Sequence, residues 1–231
     1  MKTQSDGAPL ADLFSTRTSP VSASTAERVV DVLRSYLIEG HLEPGTRLSE
    51  EVLAAGLNVS RNTLREAYRI LAHEKLVVHE MNRGVFVREL TADDVRSIYQ
   101  LRSLLEPIAV RSAATSSAAA ISRVRLAVTE GLAAMEREDW REVGTANMHF
   151  HLAVAALMGN PRVDGIMAQL LAELRLAFHV MTPPQDFHAP YLSENDRICR
   201  LIEQGAADEA SRVVRDYLDR ACEQLVRAFD R

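Results

Sequence analysis

Four polar residues lie at the start of a predicted helix, where their side chains could contact the bases of a nucleic acid. They are Arg61, Asn62, Thr63 and Arg65. An arginine can donate two hydrogen bonds to a guanine edge, and an asparagine can pair in the same way with adenine. Ser60 can cap the helix, and the free backbone N–H groups beside it can hold a phosphate. Taken singly, each residue could belong to an ordinary solvated helix face, but together they predict an interface with DNA.

A short loop after this helix supplies a second candidate contact. Two apolar runs, Leu76–Val78 and Val85–Val87, flank the sequence Met81-Asn82-Arg83-Gly84, a pattern typical of a β-hairpin. Arg83 and Gly84 would lie at the tip. Because Gly84 has no Cβ, the backbone there can approach a duplex closely. The hairpin is therefore expected to act as the wing of a DNA-binding domain.

The elements that must position these residues can be predicted from apolar spacing. A helix over residues 25–39 ends at Gly40, and a short helix capped by Ser49 follows a Pro-Gly turn. The polar helix comes after a tight turn at 56–59. Its apolar positions repeat at helical spacing: Leu64, Ala67, Tyr68 and Leu71. Two helices, a turn and a hairpin in this order predict a winged helix-turn-helix over residues 25–89.

Length and composition limit the remaining possibilities. The chain has 231 residues, 47% of them hydrophobic, enough for two modest domains with packed cores. Cys199 and Cys222 form no CxxC pair, so neither a zinc ribbon nor a disulfide framework is supported. No apolar run is long enough to cross a membrane. We therefore expect a cytoplasmic protein with no membrane partner.

The charge distribution is uneven along the chain. The formal net charge of −5 is unfavourable for a DNA-binding protein taken as a whole. Between residues 57 and 88, however, basic side chains outnumber the acidic ones. The basic residues are Arg61, Arg65, Arg69, Lys75, Arg83 and Arg88, and the acidic ones are Glu66, Glu74 and Glu80. Positive charge is thus concentrated where DNA phosphates would lie.

The rest of the chain divides into a terminal arm and a helical half. Residues 1–24 are rich in Ser, Thr, Ala and Pro, which predicts a disordered arm. After an N-cap at Thr91, residues 91–231 give helical patterns only and predict an antiparallel bundle of about six helices. In the first bundle helix the predicted inward stripe consists of Val95, Ile98, Leu101, Leu105, Ile108 and Ala109. The expected fold class is mainly α.

The N-terminal half resembles the DNA-binding domain of the GntR family of bacterial transcription regulators. The resemblance lies in LRSYLIEGHLEPGTRLSE, NVSRNTLREAYRILAHEKLV and NRGVFV. It implies that the polar helix enters a major groove and the wing tip the neighbouring minor groove. The implied DNA contacts are Ser60, Arg61, Asn62, Thr63, Arg65 and Gly84. Glu51 departs from the pattern, because many relatives have a phosphate-binding arginine there.

The helical half resembles the ligand-sensing (FCD) domain of the FadR-type branch of that family. The matching pieces are IYQLRSLLEPIAV, NMHFHLAVAALMGNP and ENDRICRLIEQGAADEASRVVRDYL. The resemblance implies a central pocket for a small metabolite, usually an organic acid, in which many members hold a divalent metal. The corresponding positions here are Asn147, His151, Asn195 and Tyr217. Only His151 is a strong metal ligand, so a metal is disfavoured, no cofactor is expected and a polar pocket is predicted.

Arg102 is a further candidate for the effector pocket. It falls among apolar neighbours in the first bundle helix, and a buried arginine must be paired. Its partner could be a ligand carboxylate, Glu106 four residues later, or an acidic residue of another helix. The predicted effector-binding residues are therefore Arg102, Asn147, His151, Asn195 and Tyr217.

These features predict a DNA-binding transcription regulator, with repression the expected mode. A homodimer would read a pseudo-palindromic operator on double-stranded DNA, and a small effector, expected to be a carboxylate, would control binding. The alternative is a ligand-independent DNA-binding protein with a vestigial pocket. An enzyme is not expected, because the sequence has no recognisable nucleophile–base pair, phosphate loop or set of paired carboxylates.

Overall fold

The computed structural model describes residues 24–229, and the predicted arm lies outside these residues apart from Ser24. The first six elements are α1 (Thr25–Ile38), β1 (Arg47–Leu48), α2 (Glu50–Gly56), α3 (Arg61–His73), β2 (Val77–Glu80) and β3 (Gly84–Val87). The later helices are α4 (Ala92–Arg111), α5 (Ala118–Glu136), α6 (Trp140–Ala156), α7 (Pro161–Arg175), α8 (Pro184–Glu203) and α9 (Ala207–Phe229). The prediction of a mainly α chain, with a winged helix-turn-helix before a helical bundle, is confirmed.

The chain folds into two compact units. Of the described residues, the first unit contains those up to Tyr36 together with Pro44–Arg88. Its helices α2 and α3 begin at the predicted caps: Ser49 accepts from Val52 N, and Ser60 accepts from Thr63 N. The two caps satisfy backbone donors that a helix start leaves free, which fixes where the second helix of the motif begins.

A small antiparallel sheet completes the first unit, with the strand order β1-β3-β2. The register pairs Val77 with Val87 and Glu80 with Gly84, so residues 81–83 form the tip of the predicted hairpin. Strand β1 (Arg47–Leu48) follows the predicted Pro-Gly turn and is not among the elements that the sequence predicts. Two residues are too few to show a strand pattern, and this strand exists because it pairs with β3.

The second unit contains Leu37–Glu43 and the residues from Glu89 onward. Helix α4 begins with a capping box, in which Thr91 and Asp94 each accept from the other's backbone N–H. Helix α4 packs mainly against α9, and α6 packs against α4, α5, α7 and α8. Because α4, α6, α8 and α9 all contribute buried residues to the interior, side chains distant in sequence meet there.

Two details of the bundle differ from the sequence predictions. Leu101 and Ile108 were predicted to face inward, but they are 45% and 52% exposed. Arg102 and Glu106 occupy the interior beside Val95, Ile98 and Ala109, so the predicted stripe is right at these three apolar positions and wrong at Leu101 and Ile108. The apolar pattern over residues 163–181 predicts one helix, but α7 ends at Arg175 and a 3-10 turn over Leu176–Val180 follows. None of the described helices is long and apolar enough to cross a membrane.

Candidate functional site

The start of α3 presents its polar side chains to solvent. The hydroxyl of Ser60 accepts from the backbone N–H of Thr63 at 3.1 Å and lies 2.8 Å from the Thr63 hydroxyl. Arg61 and Asn62, on the first turn, are exposed. Ser60 and Thr63 are therefore hydrogen-bonded to each other, whereas Arg61 and Asn62 remain available to an external partner.

The opposite face of α3 anchors the helix in the first unit. Its buried residues are the four predicted from the spacing: Leu64, Ala67, Tyr68 and Leu71. The hydroxyl of Tyr68 donates to the carbonyl oxygen of Leu48 at 3.2 Å. Because this face is buried and bonded to β1, the polar face is held outward in one orientation.

Arg65, the fourth predicted base contact, is paired with a carboxylate of α2. Its Nε lies 3.0 Å from both carboxylate oxygens of Glu50, and its Nη2 lies 3.0 Å from Oε2. The hydrogen bond and charge of Glu50 raise the pKa of Arg65 above its usual value. Arg65 nevertheless stays 58% exposed. This pair could not be predicted from the sequence, because the two residues are fifteen positions apart.

The wing carries the remaining predicted contacts. Arg83 pairs with Glu80, and its guanidinium lies over the Phe86 ring, 5.3 Å from the centroid. Gly84 has φ +112°, a left-handed conformation in which any side chain would be strained. The tip geometry therefore depends on glycine at this position.

A buried polar cluster lies inside the second unit. Its members are Arg102, Glu106, Asn147, His151, Asn195 and Tyr217, and each is at most 8% exposed. They come from four helices: α4, α6, α8 and α9. The structure thus brings together all five residues predicted for the effector pocket. It adds Glu106, which sequence reasoning had considered only as an alternative partner of Arg102.

At one end of the cluster, the two carboxylate oxygens of Glu106 connect Arg102 to His151. Arg102 Nε donates to Oε1 at 2.6 Å, and His151 Nδ1 lies 2.7 Å from Oε2. Burial alone would raise the pKa of Glu106, but the charge of Arg102 and the contact with His151 lower it to about 2. The carboxylate is therefore ionised, and of the proposed partners of Arg102 the structure contains Glu106.

Hydrogen bonds continue from His151 to the other end of the cluster. His151 Nε2 lies 3.1 Å from the Tyr217 hydroxyl, which is 3.0 Å from Asn147 Oδ1. Asn195 Nδ2 donates to the same oxygen at 2.8 Å. Burial lowers the pKa of His151, and the neighbouring Glu106 only partly opposes this. The cluster is thus one continuous chain of contacts.

Two atoms of the cluster are left without a hydrogen-bond partner within the described part of the chain. They are Nη2 of Arg102 and Oδ1 of Asn195, and both are buried. A buried polar atom without a partner is costly, so such atoms mark places where a ligand or water gains most by binding. One is a donor with positive charge and the other is a neutral acceptor.

The donor set does not fit the divalent metal that the resemblance implies. The corresponding residues supply one imidazole, one phenol and two amides, whereas zinc and nickel favour several imidazole, thiolate or carboxylate ligands. The nearest carboxylate, Glu106, is already engaged by Arg102 and His151. Among residues 24–229, no three His, Cys, Asp or Glu side chains are grouped to hold a metal.

A surface groove lies next to the cluster, between α8 and α9. Its volume is about 530 Å³, and its lining includes Tyr191, Glu194 and Arg220. The ring of Tyr191 packs edge-on against Tyr217 with centroids 4.8 Å apart, and its hydroxyl donates to Gln224 at 2.9 Å. Tyr191 therefore separates the groove from the buried cluster, a role that sequence reasoning missed.

Comparisons with known proteins agree on both halves of the chain. Residues 25–87 match the model of the gntR family of bacterial regulatory proteins, and residues 97–220 match the model of the FCD domain. A crystal structure from Rhodococcus sp. RHA1, of a protein designated a transcriptional regulator GntR, is 41% identical. It covers 88% of this chain and 98% of that one, with a TM-score of 0.79.

Two curated relatives extend this comparison. The Nta operon transcriptional regulator of Aminobacter aminovorans is 29% identical over 196 residues, which cover 80% of this chain and 87% of that protein. The gluconate operon transcriptional repressor of Bacillus subtilis (strain 168) is 45% identical over 84 residues, 36% of this chain and 34% of the repressor. The first match spans both halves of the chain.

Proposed function

This chain belongs to the GntR family of bacterial transcription regulators and carries an FCD domain, and we propose that it is a repressor controlled by a small carboxylate. In this proposal residues 25–89 bind the operator, and residues 91–231 bind the effector and form the dimer. The observation that carries the effector half is the unpartnered Nη2 of Arg102, a buried cationic donor. A carboxylate is the natural complement of such a donor.

The DNA half of the proposal is supported by the exposure of the α3 face. Arg61, Asn62 and Arg65 are exposed on one side, while the opposite side of the helix is buried. These side-chain types suit the major-groove edges of guanine and adenine. The wing, with Arg83 and Gly84 at its tip, is suited to a minor groove or to phosphates.

Repression, as the mode of regulation, is supported by the names of two curated relatives. A gluconate operon repressor is among the curated relatives, and another is a probable D-xylose utilization operon repressor from Paenarthrobacter nicotinovorans. The first of these operons is named for gluconate, a carboxylate, which supports an acidic effector in this proposal. For control, the effector must bind the DNA-competent and DNA-incompetent conformations with different affinities.

The proposed homodimer would use the exposed apolar face of α4. Leu101, Leu104 and Ile108 recur on this helix and are 45%, 65% and 52% exposed. Ile166 on the neighbouring helix α7 is 48% exposed. Such a patch is unfavourable in water, and a two-fold axis through it would bury the same surface of both copies.

DNA binding is tested by fluorescence anisotropy on duplexes selected from a randomised pool. We expect a salt-sensitive preference for an inverted repeat over unselected duplex. Arg65→Ala is expected to weaken binding to the selected duplex by about 1–3 kcal/mol while changing binding to random duplex less. Equal affinity of the wild-type chain for selected and random duplexes would contradict the proposal.

Effector control is tested separately with a panel of small organic, sugar and amino acids. One class should raise the Tm by roughly 5–10 °C at a hundredfold excess over its Kd, and should also weaken binding to the selected duplex. Neutral analogues of the same acids serve as the control. If no acid changes either property, the alternative of a ligand-independent DNA-binding protein replaces the sensor.

A further inference from the structure

We propose that Glu50 is a positioning residue that sets the base preference of the DNA-binding surface through Arg65. This inference rests on the proposed binding of DNA by α3, and it concerns how one side chain of that surface is held. Glu50 lies in the first turn of α2, and Arg65 lies in the second turn of α3. The pair therefore joins the two helices of the helix-turn-helix on their solvent side.

The geometry of the pair leaves part of the guanidinium available. Glu50 engages Nε, at 3.0 Å from both oxygens, and Nη2, at 3.0 Å from Oε2. A guanidinium has five N–H donors, so the two hydrogens of Nη1 and one of Nη2 remain. Those hydrogens can form the fork that pairs with O6 and N7 of a guanine. Glu50 thus occupies one edge of Arg65 and leaves the edge that reads a base.

The position of Glu50 also needs an explanation on electrostatic grounds. A carboxylate on a surface that meets phosphates repels them, so Glu50 weakens DNA binding unless it has a compensating role. Its side chain is 28% exposed and bonded through three contacts, whereas the adjacent Glu51 is exposed. Holding Arg65 in one orientation before DNA arrives removes part of the entropy cost of ordering a long side chain at the interface.

Glu51 provides a matched control because it lies in the same first turn of α2. Glu50→Gln and Glu51→Gln each remove one negative charge near phosphates and one favourable interaction with the N-terminus of the helix. Non-specific electrostatics and helix stability should therefore change similarly in the two variants. Only Glu50→Gln weakens the hold on Arg65, so a difference in base preference between them reports positioning.

The experiment is selection from a randomised duplex pool, performed in parallel with the wild type, Glu50→Gln, Glu51→Gln and Arg65→Ala. We expect Glu50→Gln to lose base preference at the same operator positions as Arg65→Ala, with the preference for the wild-type duplex over random duplex falling about tenfold. Glu51→Gln should retain the wild-type motif and bind all duplexes more tightly. Glu50→Asp should restore part of the preference, because it keeps the charge on a shorter arm.

A double variant separates positioning from direct repulsion. In the Arg65→Ala background, Glu50→Gln should change affinity no more than Glu51→Gln does, because the residue it acts through is absent. If Glu50→Gln keeps the full wild-type motif, the inference is overturned while DNA binding stands. If the wild type enriches no motif, the proposed function fails first, and the two failures are distinguishable.

Discussion

The Nδ1 atom of His151 lies 2.7 Å from Oε2 of Glu106, and this contact determines which ring nitrogen carries a proton. The pKa of Glu106 is lowered to about 2, so its oxygens accept hydrogen bonds, and Nδ1 must donate. A neutral His151 therefore has an acceptor at Nε2, which competes with Asn147 Oδ1, the oxygen to which Tyr217 donates, for the single proton of the Tyr217 hydroxyl. The protonation state of one carboxylate is in this way coupled to the orientation of a hydroxyl across the cluster.

Removing that hydroxyl should destabilise the second unit. Tyr217→Phe keeps the ring packed but leaves His151 Nε2 and Asn147 without the hydroxyl they share. We expect the free energy of unfolding to fall by about 1–3 kcal/mol, measured by urea denaturation. Tyr191→Phe is the control, since its hydroxyl bonds only partly buried Gln224, and it should cost less. Equal losses would contradict the importance of the cluster.

Breaking the buried ion pair should cost more than breaking an exposed one. Arg102→Met leaves Glu106 buried with an unbalanced charge, and we expect a loss of about 3–5 kcal/mol in unfolding free energy. Adding Glu106→Gln should recover part of that loss, because the second change removes the unpaired charge. Arg111→Met, which breaks an exposed bridge to Asp208, should cost about 1 kcal/mol or less.

His188 should make stability depend on pH in a defined window. Burial, with a smaller effect from the charge of Arg175, lowers the pKa of His188 to about 3. The unfolded chain takes up this proton below about pH 6.5 and the folded chain does not, so acid favours unfolding. Between pH 7 and pH 5 His188 should contribute a loss of about 2 kcal/mol.

The measurement is urea denaturation of the wild type and His188→Leu at both pH values. The difference between the two proteins isolates His188, because the buried His151 contributes to both slopes in the same direction. His73→Gln, at an exposed position, is the matched control and should behave as the wild type. A wild-type slope retained in His188→Leu would show that this imidazole is not buried in its neutral form.

Disrupting the apolar face of α4 should separate the proposed dimer. Leu104→Asp places a charge at the most exposed of the three apolar residues, where a two-fold interface would bring two copies together. We expect a monomer by analytical ultracentrifugation and weaker binding to an inverted repeat. Leu126→Asp, 57% exposed on α5, should remain dimeric. A dimer that persists in Leu104→Asp but not in Leu126→Asp would place the interface elsewhere.

Local signals in the sequence predicted the helix starts and the solvent-exposed polar side of α3. The helix caps are Ser49, Ser60 and Thr91. In each, a short side chain accepts a hydrogen bond from the backbone N–H of the residue three positions later in the same helix. Asn147 and His151 likewise share a helix face because residues four positions apart lie on the same side of an α-helix. Features of this kind require no knowledge of the tertiary fold.

Features that depend on distant residues could not be predicted in this way. The pairing of Arg65 with Glu50, the strand Arg47–Leu48 and the packing of Tyr191 on Tyr217 exist only after the chain has folded. The apolar spacing of α4 led to the wrong prediction that Leu101 and Ile108 are buried in this chain. An apolar stripe has the same spacing whether it packs in the core of its own chain or against another molecule. The buried polar residues on that helix belong to a hydrogen-bond network that is built from four helices, and the spacing along one helix does not show such a network.

Three arginines of α3 and the wing are already matched to carboxylates of their own chain, Arg65 with Glu50, Arg69 with Glu66 and Arg83 with Glu80. Each such pair lowers the long-range attraction that its arginine exerts on a polyanion. Arg69 and Arg83 become fully available only when a partner at close range replaces their carboxylates, whereas Arg65 presents its free edge while Glu50 stays in place. Because this attraction is lowered, the protein should spend less time bound to random sequence. It is then free to find a small number of operators.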